Sequence, residues 1–265
     1  MAQQATEEVV EQEFAVGEEP SLFLRNISGR VSIRASEEGV IRVRAVKHGR
    51  ADDVQHTHIH LQQAGNAVHV ETKSEEHGRF GQGSVCSVDY DVTVPHRCIP
   101  EVTTVSADVD LHGTAASATV ETVSGIVSVA DISGTGRFQT VSGDITARDV
   151  RGTLHLHTTS GSADLGTAEL ESFDLHSISG TITVETPLQG GGTYRAQTVS
   201  SDVRLRVPEM QGISVHLHSV SGRVFSDLPA SIDKVGFGDW NATINGGGPD
   251  VWMSSVSGGL RITRT

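Results

Sequence analysis

The side chains whose spacing most suggests chemistry are histidines, of which the chain of 265 residues has 13. Alternate histidines occur in three places: His56, His58 and His60; His155 and His157; and His216 and His218. Alternate residues of a strand point to the same side, so each group is expected to face outward together. Two such histidines and one from a neighbouring strand could form a three-ligand zinc site. The predicted neighbours His157 and His176 have no acid or cysteine at their position to complete one, so we assign no metal ligand.

Acidic side chains and cysteines give no stronger indication of a reaction. Asp108, Asp144 and Asp202 share one repeat position, as a polysaccharide-cleaving enzyme would require, but Ile126, Ser162 and Thr181 interrupt the series. Aspartates in turns explain these residues without catalysis. No nucleophile motif, phosphate loop or dinucleotide fingerprint is present, so we assign no catalytic residue and no cofactor. Two cysteines cannot form a metal site alone, and we predict that Cys86 and Cys98 are buried free thiols; the alternative is a disulfide that closes the short loop between them.

The elements that must position these residues are short tandem repeats. A serine followed in most copies by glycine recurs after a β-branched residue at Ser106, Ser124, Ser142, Ser160, Ser179, Ser200, Ser221 and Ser257, with a related copy at Ser28. Successive steps from Ser106 are 18, 18, 18, 19, 21, 21 and 36 residues. We interpret the last step as two steps of equal length, with Asp239 in the place of the serine. Such a fixed period indicates one supersecondary unit copied in tandem.

Each repeat is predicted to hold two short strands and to stack on the next as a coil of a parallel β-solenoid. Apolar residues alternate on both strands, so Leu156 and Leu175 should be buried neighbours. A hydroxyl stands two residues before each marker serine and should form an internal ladder: Thr104, Thr122, Thr140, Thr158, Ser177, Thr198, Ser219 and Ser255. We expect one continuous domain of all-β fold, with coils of about 18–21 residues. It comprises an acidic lead-in (1–20), irregular β-coils (21–100, with strands at 40–46, 56–61, 67–71 and 85–94) and regular repeats (101–265).

The composition excludes several classes of partner. A net charge of −13 would repel a phosphate backbone, so nucleic acid is not an expected partner. No stretch approaches the ~20 apolar residues of a membrane span. The acidic lead-in has neither the basic start nor the apolar stretch of a secretory signal. The sequence as written therefore predicts a cytoplasmic protein, or a cell-surface protein if a leader has been removed.

Three features in this order resemble the bacterial putative-adhesin family of β-strand-repeat proteins, a domain of unknown function. They are the opening Phe14-Ala15-Val16 followed by 22–29, the strand Val92-Thr93-Val94-Pro95, and the Thr-Val-Ser-Gly copies after it. The resemblance spans nearly the whole chain. It implies a parallel β-solenoid and an adhesin-like role, and it supplies no catalytic residues.

We therefore expect a non-enzymatic structural or interaction protein whose faces or C-terminal end bind a partner or another subunit. The final copy, 256–262, should end the solenoid and expose unpaired backbone groups. Trp252 falls in an outward column whose other members are polar, which makes it a candidate interface anchor or a cover for a neighbouring side chain. The alternative is a metal-dependent or carbohydrate-active β-solenoid enzyme, which depends on the outward histidines and aspartates.

Overall fold

A computed structural model describes residues 5–74, 86–166 and 169–265. Within these ranges the chain forms 23 strands and one helix of five residues, which confirms the all-β class, and most strand pairs are parallel. The chain divides into two compact units, residues 1–128 and 129–265. No helix of the described ranges is long and apolar enough to cross a membrane.

The first unit is built around one long strand, β2. Its elements are β1 (Ala5–Ala15), β2 (Ser21–Ser36), β3 (Val40–Arg50), α1 (Ala51–Gln55), β4 (Thr57–Ala64), β5 (Ala67–Ser74), β6 (Ser87–Pro95), β7 (Ile99–His112), β8 (Ala118–Ser124) and β9 (Val127–Ala130), which extends past the division. The first half of β2 lies between β5 and β7, and the second half lies between β6 and β7, all parallel. Ser28 pairs with Ser106, so the early copy of the marker is in register with the first regular one. Val85, the first residue of the strand predicted at 85–94, lies outside the described residues.

Antiparallel pairs at the start of the chain differ from the parallel coils that the sequence predicted there. β1 pairs with β3, β3 with β6, and β4 with β5, each antiparallel. The acidic lead-in is the strand β1, and its glutamates lie opposite basic residues of β3. Arg42 contacts Glu13 and Arg44 contacts Glu11, both at 3.0 Å. Opposite charges directly across an antiparallel pair favour this pairing, and they explain why an acidic segment forms a strand.

The second unit contains two parallel ladders and a hairpin. The long ladder is, in spatial order, β10 (Ser133–Ser142), β12 (Arg151–Ser160), β14 (Glu169–Ser179), β16 (Tyr194–Thr198), β22 (Asp250–Ser255) and β18 (Ile213–Ser219). The short ladder is β11 (Ile145–Arg148), β13 (Ala163–Gly166), β15 (Ile182–Glu185), β17 (Val203–Val207), β23 (Leu260–Arg264) and β19 (Val224–Ser226). The hairpin is β20 (Ala230–Lys234) and β21 (Asp239–Ile244).

The strand phase predicted from the apolar alternation is confirmed in the long ladder. Phe138 pairs with Leu156 of the next copy, and Leu156 pairs in turn with Leu175 of the copy after that. All three side chains are buried. The eight hydroxyl residues before the marker serines are buried too, as the internal ladder requires. At the corner, Gly180 has φ 115°, and a side chain there would collide with the carbonyl oxygen of Gly161 in the neighbouring coil.

The predicted order of the last coils is wrong. β22 lies between β16 and β18, and β23 lies between β17 and β19, so the C-terminal copy is inserted between two earlier ones. Trp252 is paired with Arg195 on one side and with His216 on the other. The last strands therefore have neighbours on both sides, whereas the sequence predicted an exposed terminal edge.

The predicted coil around Asp239 is wrong for a related reason. β21 is antiparallel to β18 and to β20, so this segment is a hairpin and not a parallel copy. The turn that reverses the chain contains Gly236 and Gly238, and the Val235 amide donates to the Asp239 carbonyl at 2.9 Å. A turn this short joins antiparallel strands, whereas a parallel return needs a long crossover. Val235, at the start of this turn, is exposed.

Candidate functional site

The outward side of the long ladder carries histidine, arginine, aspartate, glutamine and tryptophan side chains. Alternate residues of a strand share one side, so each strand contributes two outward residues in register with its neighbours. The first column is Arg137, His155, Asp174, Arg195, Trp252 and His216; the second is Gln139, His157, His176, Gln197, Ser254 and His218. β21 extends the two columns by Asn241 and Asp239. Residues at equivalent positions of the repeat therefore lie side by side on this surface, and all of them except Trp252 are polar.

A cleft of about 560 Å³ opens where this surface meets the hairpin. We call it the Trp252 cleft. Its outward lining residues are Arg195, Gln197, His216, His218, Asp239, Asn241, Trp252 and Ser254, and Val235 contributes from the hairpin. Trp252 is 53% exposed, although it stands in a column of polar residues. The predicted outward orientation of this tryptophan is confirmed.

His216 holds the tryptophan in place. The imidazole and indole rings stack with their centroids 4.2 Å apart and their planes 20° apart. The two ring nitrogens of His216 lie 3.1 Å from Asn241 Oδ1 and 3.2 Å from Asp250 Oδ1. The histidine is thus anchored at both ends, and its ring fixes the plane of the indole. Trp252 does cover a neighbouring side chain, as one of the two sequence interpretations proposed, yet about half of its surface stays open.

A second histidine and aspartate pair stands at the other side of the cleft. His218 Nδ1 donates to Asp239 Oδ1 at 2.6 Å. Within the hairpin, Lys234 Nζ lies 5.5 Å from the centre of the Trp240 ring, a cation–π contact that joins β20 to β21. Phe237, at the tip of this hairpin, is 86% exposed. Asp239 and Asn241 belong to the segment that the sequence placed in a regular coil, so sequence reasoning missed this wall of the cleft.

A smaller cleft of about 300 Å³ lies further along the same surface. Its lining includes His155, His157 and His176, and the rings of His157 and His176 are 6.0 Å apart, which confirms that they are neighbours. His176 Nε2 lies 3.2 Å from Asp174 Oδ1. In residues 5–74, 86–166 and 169–265 no three histidine, cysteine, aspartate or glutamate side chains are placed to hold a metal ion. Among these residues, His157 and His176 therefore lack a third ligand for a zinc ion.

The remaining group of histidines and the aspartate column lie outside both clefts. His58 and His60 are exposed on β4, but His56 caps the short helix α1, so the predicted alternation of three is wrong at its first member. Asp108, Asp144 and Asp202 each accept a hydrogen bond of 2.8 Å from a backbone amide at the corner of a neighbouring coil, namely those of Ile126, Ser162 and Gly259. These carboxylates join neighbouring coils, which explains them without catalysis.

Both cysteines are buried free thiols, as predicted. Burial raises the pKa of the Cys98 thiol to about 12. A thiol with so high a pKa stays protonated at neutral pH and is a poor nucleophile or metal ligand. Burial likewise raises the pKa of Tyr90 to about 12, and its hydroxyl bonds to Thr72 Oγ1 at 2.6 Å.

Several solved structures are similar to this chain in fold. The crystal structure of a putative adhesin from Bacteroides fragilis is 11% identical, and the match covers 96% of this chain and 97% of that one with a TM-score of 0.57. A putative adhesin from Parabacteroides distasonis is 7% identical, with 97% of each chain covered and a TM-score of 0.42. A putative lipid binding protein from the same species is 11% identical, with coverage of 97% and 96% and a TM-score of 0.39. The first of these shows a shared fold.

No curated protein is significantly similar to this chain in sequence. The Toastrack DUF4097 family model, in contrast, matches residues 21–263. The match begins with β2, the central strand of the first unit, and extends into β23. It therefore includes both the marker repeats and the strands that form the Trp252 cleft. The chain belongs to the Toastrack DUF4097 family, a family of β-solenoid-like proteins.

Proposed function

We propose that this chain is a non-enzymatic interaction protein and that the Trp252 cleft is its binding surface. The observation that carries the proposal is the half-exposed indole of Trp252, held by His216 in an open cleft of polar side chains. Leaving an aromatic ring in water forgoes the free energy of its burial, and such rings are frequent anchors of interfaces. The Bacteroides fragilis structure of the same fold is named a putative adhesin, which supports an interaction role.

Contacts within the chain hold Trp252 and His216 in place without a partner. Trp252 stands on a strand that is paired on both sides, and His216 is fixed by Asn241 and Asp250. A surface that needs no rearrangement loses less conformational entropy on binding. This rigidity supports binding by fixed side chains that point outward from the sheet. It does not require a loop to move.

The same cleft contains a serine, a histidine and an aspartate, the residue types of a hydrolase triad. Ser254 is in register with His218, and His218 donates to Asp239, so a serine, a histidine and an aspartate follow one another across three strands. Within the described parts of the chain, however, no hydrogen bond joins Ser254 to His218. The histidine and aspartate side chains are 64% and 55% exposed, so water would screen the charges of a transition state. This geometry favours binding over catalysis.

An adhesion assay tests the proposed function. Beads coated with the protein are applied to surfaces bearing isolated bacterial envelopes, mucin or fibronectin. We expect retention on at least one surface, loss of retention for Trp252→Ser, and unchanged retention for Phe225→Ser. Phe225 is a matched control, because it is 50% exposed, stacks on one neighbour, Arg261, and belongs to the short ladder. Absence of retention on every surface, or equal effects of the two variants, would contradict the proposal.

A further inference from the structure

We infer that the Trp252 cleft binds a saccharide that carries a carboxylate. The inference deepens the proposed function by naming the chemical class of the ligand, and it depends on that function. It is drawn from the orientation of the indole, from the unpaired charge beside it, and from the pairing of the strand beneath it.

One face of the indole is open, and its direction is fixed by the strand order. β22 lies between β18 and β16, and the face toward β18 is covered by the His216 ring. With that face covered, we assign the exposed half of Trp252 to the edge of the ring and to the face toward β16. The C–H groups on one side of a pyranose ring are apolar and slightly positive, and they pack well on the electron-rich face of an aromatic ring. The open face thus provides a flat platform of the right size and polarity for one sugar ring.

The residue across this platform is Arg195, which pairs with Trp252 in the strand register. In the part of the chain that the structure describes, its guanidinium makes no hydrogen bond or ion pair. Asp174 is in register with Arg195 on its other side, but its carboxylate lies 3.2 Å from His176 Nε2. The guanidinium of Arg195 is thus left to bind a ligand carboxylate through two parallel hydrogen bonds. A uronic acid has its carboxylate on the rim of the ring, where a guanidinium beside the platform can reach it.

The next outward pair along the same two strands supplies groups for hydroxyls. Gln197 is in register with Ser254, one pleat beyond Arg195 and Trp252. An amide and a hydroxyl each donate and accept hydrogen bonds, as the hydroxyls of a sugar require. The indole and the guanidinium thus form one in-register pair on the two strands, and the amide and the hydroxyl form the next pair. A few polar groups of this kind, placed around an aromatic surface, give a site its orientation and specificity.

The strand pairing disfavours an extended peptide as the ligand. A peptide that adds to a sheet needs a free strand edge, and β22 is hydrogen-bonded on both sides. The net charge of −13 also opposes a long polyanion such as nucleic acid. A ligand recognised through outward side chains alone, with hydroxyls and one negative charge, satisfies both constraints.

Titration calorimetry with methyl β-D-glucuronide, and with methyl β-D-glucoside as the neutral counterpart, tests the inference. We expect the glucuronide to bind more tightly than the glucoside. Trp252→Ala should weaken both by at least about tenfold, which is the scale of one lost aromatic contact. Arg195→Gln should remove the preference for the glucuronide and leave glucoside binding nearly unchanged. Phe225→Ala is the control and should bind as the wild type does.

Two results would overturn the inference, and they differ from failure of the proposed function. Equal affinity for the two glycosides, or no saturable heat for either at about 10 mM, excludes an acidic saccharide site. If beads still adhere through Trp252 in that case, the binding surface stands and the ligand class is wrong. If adhesion is also independent of Trp252, the proposed function fails with it. Thermal melting of each variant establishes that a lost signal does not come from unfolding.

Discussion

The hydroxyl ladder inside the second unit offers a sharp test of how its core is stabilised. Thr158 is buried at 1% exposure, and its hydroxyl has no hydrogen-bonding partner among the described residues. Thr198 occupies the equivalent position on β16, and its hydroxyl donates to the Ser201 carbonyl at 3.1 Å. The two threonines share a strand environment and a repeat position, but only one of them makes a hydrogen bond. Replacing each by valine exchanges a hydroxyl for a methyl group and keeps the β-branched shape.

The expected effects have opposite signs. An unpaired buried hydroxyl costs about 1–3 kcal/mol, so Thr158→Val should raise the free energy of unfolding by about 1 kcal/mol. Thr198→Val removes a hydrogen bond and leaves a carbonyl without its partner, so it should lower that free energy by about 1–2 kcal/mol. For a chain of this size, about 1 kcal/mol corresponds to a shift in Tm of about 2–4 °C.

Urea denaturation followed by circular dichroism, together with calorimetric melting, measures both changes. A shift of the urea midpoint at constant slope reports stability alone. The reasoning is refuted if Thr158→Val destabilises the protein as much as Thr198→Val does, because the Thr158 hydroxyl would then be satisfied in solution. A Tm difference between the variants of less than about 2 °C would lead to the same conclusion.

Two further predictions concern the core and the buried thiol. Leu156→Ala should cost about 2–5 kcal/mol in the free energy of unfolding, whereas His155→Ala, on the outward side, should change it by less than about 0.5 kcal/mol. Equal and small losses in urea denaturation would contradict the strand phase. The pKa of Cys98, raised by burial from 9.0 to about 12, means that unfolding releases its proton between these values. The Cys98 contribution is therefore complete below pH 9 and is lost as the pH rises toward 12, so the decline of Tm in this range should be shallower in Cys98→Ala.

Local spacing in the sequence predicted the parts of the fold that depend on neighbouring coils. The repeat steps from Phe138 to Leu156 and on to Leu175 indicated their register and burial, because equivalent positions of adjacent parallel strands lie side by side. The outward position of Trp252 followed from the same alternation. The division of the chain into 1–20, 21–100 and 101–265 as one continuous domain stays a prediction.

The order of the coils could not be derived in this way. A repeat position states which residues are equivalent, but it does not state which copy is the neighbour of which. Arg195 and Trp252 occupy the same repeat position, as do the other members of the column, so periodicity alone cannot distinguish stacking in sequence order from insertion of the last copy. The long step before Ser257, together with Gly236 and Gly238 in a short turn, was the available signal of a hairpin. The wall of the candidate site depends on that hairpin, which explains why the cleft was missed.

The position of β22 and β23 between earlier strands determines the order in which the second unit can assemble. β16 and β18 leave the ribosome before β22 exists, and neither can complete its hydrogen bonds until the last segment of the chain arrives. β18 can meanwhile pair with β21, and β21 with β20, because these three strands are close together in the chain. The final strands must then pair with segments far earlier in the chain, as Trp252 does with Arg195. Contacts of such long range form slowly, so β16, β18, β17 and β19 each keep one unpaired edge until β22 and β23 have been synthesised, and the Trp252 cleft cannot form before then.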